Sequence, residues 1–363
     1  MHIVQLLPEL NQGGIERGVV ELNRELVARG FRSTVVSAGG ALVPTIEQDG
    51  GTHLTVDICS KNPVTAIARA LKLRAALAEI APSLLHVRSR VPGWLTALAN
   101  RSLKLPLVST VHGYNSVNCY SEIMTRGERV ICVSHGIRDF VREHYGVDEA
   151  RLRVVHRGVD LQAFANSANP EPLTSLQDTW SLNRPFVLAA GRISPLKGLD
   201  LMIEALSDPR LSGLDLVIAG SAGTRHGQHL QSLHDLIASR SLSDRVHFVG
   251  SQSDLVPWYA AAQAVVSTSR KPESFGRTLI EAMALETPVI AGRHGGALEI
   301  VRDGENGYLV TPGDRQELVE ALAGIERLQT AGLRSYVQEN FSLARMVSGI
   351  LAVYEEVLPC TSC

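Results

Sequence analysis

The sequence predicts an α/β chain folded as two similar domains, each a parallel sheet flanked by helices. Three observations carry that expectation. Short β-branched apolar runs such as Ile3–Leu7, Phe186–Ala190 and Gln263–Thr268 alternate with longer stretches of helical period, the pattern of strands covered on both faces. The alternation lapses over Ala165–Asn183, which is rich in Asn, Pro, Ser and Thr, and then restarts. The 363 residues, 45% hydrophobic and 20% charged, suffice for two domains of ordinary size. Residues 1–165 therefore read as a first domain, 166–183 as a linker, 184–342 as a second domain and 343–363 as a final helix and tail.

In the first domain, strand Ile3–Leu7 leads through an Asn-Gln-Gly13-Gly14 turn into helix Ile15–Arg29 and strand Ser33–Ser37. The turn lacks the G-x-G-x-x-G spacing of a dinucleotide site, which removes the main support for an NAD enzyme. Gly13 and Gly14 permit close backbone approach and left-handed conformations at a helix start. Strand Thr52–Val56, helix Val64–Ile80, strand Ser83–Val87, helix Gly93–Leu103 and strand Leu107–Val111 follow. The last ends in Thr110-Val-His112-Gly113, which puts an imidazole at the carboxyl end of a strand, where open α/β sheets bind ligands. Strand Arg129–Val133, helix Gly136–His144 capped by Ser134, and strand Arg151–Val155 complete the domain.

The second domain opens with strand Phe186–Ala190 and the loop Gly191-Arg192-Ile-Ser-Pro-Leu-Lys197-Gly198. Strand Leu214–Ala219, helix His226–Arg240 and strand Val246–Val249 lead to the stretch Lys271–Ala291. There Pro272 and Gly276 hold Glu273 in a loop before helix Arg277–Leu285, which carries Glu281 about 8 Å inside. In one continuous helix the two carboxylates would stand about 80° apart. With the loop between them they bracket the helix N-terminus, whose free amides suit an anion. A molecule with hydroxyls at both ends and phosphate in the middle fits that order, and a nucleotide sugar is one. Strand Pro288–Ala291, a short helix from Gly295-Gly296 through Glu299, the turn Asp303–Tyr308 and helix Leu343–Leu358 close the chain.

At this point Glu273, Ser274, Phe275, Gly276 and Glu281 resemble the Glu–seven-residue–Glu signature of retaining glycosyltransferases of the GT-B fold, family 4. The Gly13-Gly14 turn, the T-x-H-G at His112, Gly191-Arg192…Lys197-Gly198 and Asp303-Gly-Glu-Asn-Gly307 match the family in order, so the resemblance covers almost the whole chain. It implies two Rossmann-like domains facing across a cleft (the GT-B architecture), with the C-terminal helix crossing back to the first domain. It further implies that Glu273 and the neighbouring amides meet the donor sugar, and that Glu281 takes the ribose hydroxyls. His112 would lie near the reacting end of the sugar, and Gly13-Gly14 would close over the phosphates or face the acceptor. Arg192 and Lys197 would hold the diphosphate, helped by the amides of Thr278 and Leu279. One departure stands out: where the family has Asn-Gly-Val-Asp, this chain has Arg157-Gly158-Val159-Asp160.

The function expected is transfer of a hexose-type sugar to a glycan or glycolipid in bacterial surface polysaccharide or lipopolysaccharide synthesis. A nucleotide-sugar epimerase and a non-catalytic glycan-binding scaffold stay open as alternatives. A UDP-sugar is favoured over a GDP-sugar as donor; no cofactor beyond it and no nucleic-acid partner is expected. The absence of any Asp-x-Asp points away from a metal. No run of ~18 apolar residues suggests a membrane span, the chain opens directly on a strand rather than a signal peptide, and five scattered cysteines suggest free thiols, so a cytoplasmic protein is expected. Cys360 and Cys363 fall in an expected tail.

Charge is uneven. The net is −2, but residues 1–160 carry 19 basic and 15 acidic side chains. Lys61, Arg69, Lys72, Arg74, Arg88, Arg90, Arg101 and Lys104 crowd the acceptor side, and helix Val64–Ile80 gathers Val64, Ile67, Leu71 and Arg74–Ala75 near one stripe with Arg69 and Lys72 at its flanks. This region is expected to touch an anionic membrane or a membrane-linked glycan.

Overall fold

The structure, a computed structural model, describes residues 1–11, 13–164, 180, 182, 184–223 and 226–358. The expected linker lies almost wholly outside the described residues, as does the Cys360/Cys363 tail. The chain divides into two compact units, Met1–Arg157 with the C-terminal stretch from Leu343, and Gly158–Ser342. The first boundary therefore falls at Arg157 rather than 165. Val159 bridges to Ser342, and its amide donates to the Phe341 carbonyl at 2.9 Å, which ties the chain to the second unit at once.

The strands of the first unit are β1 (His2–Leu6), β2 (Arg32–Ser37), β3 (Thr52–Thr55), β4 (Leu84–Val87), β5 (Leu107–Val111), β6 (Arg129–Cys132) and β7 (Leu152–Val154). They form one parallel sheet in the order β3-β2-β1-β4-β5-β6-β7. Its helices are α1 (Gly14–Ala28), α2 (Val43–Gln48), α3 (Ala66–Ile80), α4 (Arg90–Leu103), α5 (Cys119–Glu122) and α6 (His135–Tyr145). The strand order reverses between β1 and β4, so the loops after those strands, and after β5 beside them, define the ligand edge of a doubly wound sheet.

In the second unit β8 (Phe186–Ala190), β9 (Asp215–Ala219), β10 (Val246–Gly250), β11 (Ala264–Ser267), β12 (Val289–Gly292) and β13 (Gly307–Val310) pair in parallel in the order β10-β9-β8-β11-β12-β13. The reversal lies between β8 and β11, whose following loops are Gly191–Gly198 and Thr268–Gly276. The described helices are α7 (Leu199–Leu206), α8 (Gly227–Ser239), α9 (Val256–Ala261), α10 (Arg277–Met283), α11 (Ala297–Ile300), α12 (Arg315–Ala323) and α13 (Leu333–Phe341). Helix α14 (Leu343–Val357) returns to the first unit, where Met346, Val347, Ile350 and Tyr354 bury against Ile3, Leu22, Val108 and Ile131. Among the described residues no helix is long and apolar enough to cross a membrane.

Helix α3 overturns one expectation. Its buried residues are Arg69, Ala70, Leu73 and Leu77, while Val64, Ile67 and Leu71 are 86%, 71% and 51% exposed. The aliphatic stripe faces out. The inner face is completed by Arg69, whose guanidinium donates to the carbonyls of Ser60 and Asn62, both at 2.8 Å, so it satisfies a loop rather than displaying charge.

Candidate functional site

In the second unit the two loops at the strand reversal are locked together. Gly198 has φ +62°, and a side chain there would meet the Thr268 carbonyl at 2.3 Å. Thr268 in turn donates its hydroxyl to the carbonyls of Lys197 and Gly198, both at 3.0 Å. That contact sets Lys197 beside the end of β11, where its ammonium donates to Glu273 Oε1 at 2.6 Å. The same oxygen accepts from Ser267 Oγ at 3.1 Å and from Ser269 Oγ. Burial works to raise the Glu273 carboxyl, but the Lys197 charge and the lysine and serine hydrogen bonds outweigh it and hold it below the ordinary carboxylate range. Glu273 is therefore an anion at neutral pH and an acceptor, not a proton donor.

Two shallow recesses meet at Ser267. One is lined by Gly191, Arg192, Lys197, Ser267 and Thr268, the other by Ser269, Glu273, Gly276, Gly292 and His294. Arg192 is exposed and has no hydrogen-bond partner among the described residues, which leaves a full guanidinium for an incoming anion. The Glu273 loop rests on the glycine pair after β12. The Gly296 amide donates to the Glu273 carbonyl at 2.9 Å, and Cβ atoms at Gly295 and Gly296 would strike the Glu273 and Phe275 carbonyls at 2.4 and 2.1 Å. His294 meets the Ser269 carbonyl at 2.7 Å from the same turn.

The structure distributes the expected residues unevenly. Lys197 and Glu273 come into direct contact. Ser274 and Thr278 are half-buried, and Gly276, at φ +116°, caps α10. Phe275 contributes its backbone, since its ring is 3% exposed and packs edge-on against Phe341 at 5.7 Å. The Leu279 amide donates to the Gly276 carbonyl at 3.0 Å, so it is not the open phosphate donor expected of it. Glu281 is only 4% exposed; its oxygens accept from Arg277 Nε at 2.7 Å and from the Tyr259 hydroxyl at 2.9 Å. It is an interior carboxylate whose donors include Arg277 and Tyr259.

In the first unit, Gly13 has φ 171°, ordinary extended backbone, so the left-handed conformation allowed by glycine is not used there. No atom lies within 4 Å of a Cβ built on Gly14. The residue the sequence reading left without a role, Arg157, organises this edge. It donates through one terminal nitrogen to the Gly14 carbonyl and through the other to His112 Nδ1, both at 2.8 Å. A guanidinium can only donate, so Nδ1 must be an acceptor and the ring proton sits on Nε2. Burial, and then the charges of Arg157 and Arg88, push His112 well below its ordinary value, which keeps it neutral. Its Nε2–H is buried with no partner among the described residues. It borders a recess shared with Arg88, Thr110, His156 and Arg157. Arg88 is 5% exposed, donates to Gln5 Oε1 at 2.8 Å, and is lowered by burial to about 10. Arg69 and Arg88 thus leave the set of basic residues expected at a membrane; Lys61, Lys72, Arg74, Arg101 and Lys104 remain exposed and Arg90 is half-buried.

Comparison with known proteins gives the family and the fold. Residues 12–163 match the family described as Glycosyltransferase Family 4, and residues 176–341 match Glycosyl transferases group 1. The D-inositol 3-phosphate glycosyltransferase of Geodermatophilus obscurus is 28% identical, over 94% of this chain and 84% of that protein. The lipopolysaccharide core biosynthesis mannosyltransferase LpcC of Rhizobium leguminosarum is 31% identical over 56% of this chain and 60% of its own length. A glycosyltransferase structure from Rickettsia africae superposes with a TM-score of 0.90 at 28% identity, covering 99% of both chains. Anabaena HepE, solved with UDP and glucose, gives 0.83 at 24% identity over 97% of this chain and 99% of that one, a likeness of fold.

Proposed function

The chain belongs to the group 1, family 4 glycosyltransferases of the GT-B fold, and from that membership we propose that it transfers a hexose-type sugar from a nucleotide-sugar donor to a glycan or glycolipid acceptor with retention of anomeric configuration. The observation that carries the reading is the Lys197–Glu273 pair, built at the strand reversal of the second sheet beside the unpaired Arg192.

In this reading Arg192 and Lys197 face the diphosphate and stabilise the charge that grows on it as the sugar departs. Glu273, kept ionised, accepts from the sugar hydroxyls. Glu281 takes the ribose hydroxyls, its carboxylate held in place by Arg277 and Tyr259. His112, neutral with its proton on Nε2, donates to a sugar oxygen and does not act as a base. The bond from the anomeric carbon to the phosphate oxygen breaks, the acceptor oxygen bonds to that carbon on the same face, and its proton passes to the departing phosphate. A UDP-sugar is the first donor to try, no metal is required, and the acceptor belongs to bacterial surface polysaccharide or lipopolysaccharide. The LpcC relative favours that setting. The exposed cations of the first unit support a reading in which the acceptor side meets an anionic membrane, the protein being peripheral on its cytoplasmic face.

A panel of nucleotide sugars tested by thermal shift identifies the donor, because a ligand of the native state raises the melting point. Nucleotide release is then followed with and without an extract containing acceptor. The proposal expects one donor class to stabilise the protein and its turnover to depend on acceptor. Equal release without acceptor means a hydrolase, conversion of one nucleotide sugar into another without acceptor means an epimerase, and no stabilisation by any nucleotide sugar means a scaffold.

A further inference from the structure

An apolar opening of the first unit lies away from the recess of His112 and Arg157, between α3 and α4. It is a groove of about 540 Å³, within the ~300–1,000 Å³ range of ligand pockets. Ala66, Val91, Trp94, Leu95 and Leu98 line it, and Lys61 and Arg90 stand at its margin. The walls are fixed. Arg69 ties down the loop that carries Ser60–Asn62, Trp94 donates its ring N–H to the Tyr120 carbonyl at 3.0 Å, and Arg90 lies over the Tyr120 ring at 5.5 Å.

The surroundings are as unusual as the groove. Of the ten large apolar side chains exposed among the described residues, seven fall between Val64 and Tyr120. Between Asn62 and Tyr120 the only acidic residue is Glu79. A contiguous apolar surface bordered by one sign of charge marks an interaction site, and here the sign is positive. The groove is formed by the segment before α3, the first turn of α3 and the first three turns of α4, and these helices follow the carboxyl ends of β3 and β4. It therefore opens at the same edge of the sheet as His112, which follows β5.

We infer that this groove binds the hydrocarbon part of a lipid-linked acceptor whose anionic phosphate is met by Lys61 and Arg90. The inference rests on the glycosyltransferase reading only for the word acceptor. The outward stripe of Val64, Ile67 and Leu71 extends the apolar surface beyond the groove toward the bilayer that carries such a molecule.

Dodecyl phosphate, held below its micellar concentration, serves as probe, with dodecyl maltoside and inorganic phosphate as comparisons. Trp94 emission reports binding, and Trp94→Phe assigns the signal. Dodecyl phosphate should saturate a single site with a blue shift, dodecyl maltoside should bind at least tenfold more weakly, and inorganic phosphate should leave the emission unchanged. Leu98→Glu should weaken dodecyl phosphate at least tenfold. Lys61→Glu, a change at an exposed position with little reach into folding, should weaken dodecyl phosphate but not dodecyl maltoside. Absence of saturation, equal affinity for the two amphiphiles, or a wild-type dimer that Leu98→Glu dissociates would each overturn the inference, the last by making the groove an interface between copies. Nucleotide-sugar binding is read in the same samples. If it is absent while dodecyl phosphate still binds, the glycosyltransferase reading fails and the amphiphile site stands.

Discussion

Lys197 neutralises Glu273 in the structure, and in the proposed reading it also offers charge to the donor diphosphate. Lys197→Ala should lower turnover on the order of 10²-fold, from about 3 kcal/mol of lost transition-state stabilisation, and Arg192→Ala should do the same. They should differ at Glu273. Removing Lys197 takes away the main opposing charge and lets burial raise the carboxyl, whereas removing Arg192 leaves it low, a contrast that carbon NMR of labelled glutamate can read. In the wild type the lowered carboxyl contributes stability that is complete above the ordinary value of 4.5 and is lost as pH falls through its depressed value. Arg157 gives a second test. Arg157→Ala removes the donor that fixes the His112 tautomer and one of the charges that depress its titration. The acid limb of the pH–rate profile should move up toward the ordinary histidine value of about 6.5, whereas an unchanged limb would sink the tautomer assignment. Glu273, Lys197 and His112 were legible because motif residues stand at strand ends. Arg157 was not, because its partners, Gly14 and His112, are 143 and 45 residues away in sequence and only the fold brings them together.

At the scale of elements, the strands were the clearest signal, since β-branched runs of the right length become strands covered on both faces. Helix α7 left no periodic trace because six of its eight residues are buried, and α9 is too short to show a period. The stripe on α3 left its own direction undetermined in the sequence. Apolar spacing marks a face without saying whether that face meets the core, and here Ala70, Leu73 and Leu77 fill the core side while the stripe looks outward. The turn between β12 and α11 makes its own prediction. Gly296→Ala forces the Phe275 carbonyl to move, and with it the Glu273 loop, so donor affinity should fall at least tenfold. Calorimetry reads that fall, and circular dichroism should show the sheets intact. Helix α14 predicts the reverse pattern. Ending the chain at Ser342 exposes Ile3, Leu22, Val108 and Ile131, so the first unit should lose cooperative melting while the second still binds nucleotide. Cooperative melting of both units after that truncation would contradict the packing.

For the whole molecule, both sheets reverse strand order, and in the second the Lys197–Glu273 pair stands on the loops that follow the reversal. The two-domain plan could be read from the chain because alternation restarts after a polar interval. The division of the final helix could be anticipated only through the family resemblance, since nothing in its own sequence says which sheet it covers. Charge follows the division: the basic excess lies in the first 160 residues and the acidic excess in the rest. The central claim is that the second unit reads a nucleotide sugar from both ends, with Glu281 at the ribose and Glu273 at the sugar. Isothermal calorimetry with a nucleoside diphosphate and with the matching nucleotide sugar, on wild type, Glu281→Ala and Glu273→Ala, tests it most directly. Glu281→Ala should weaken both ligands, while Glu273→Ala should spare the diphosphate and weaken the nucleotide sugar at least tenfold. Equal losses for both ligands in both variants would contradict it.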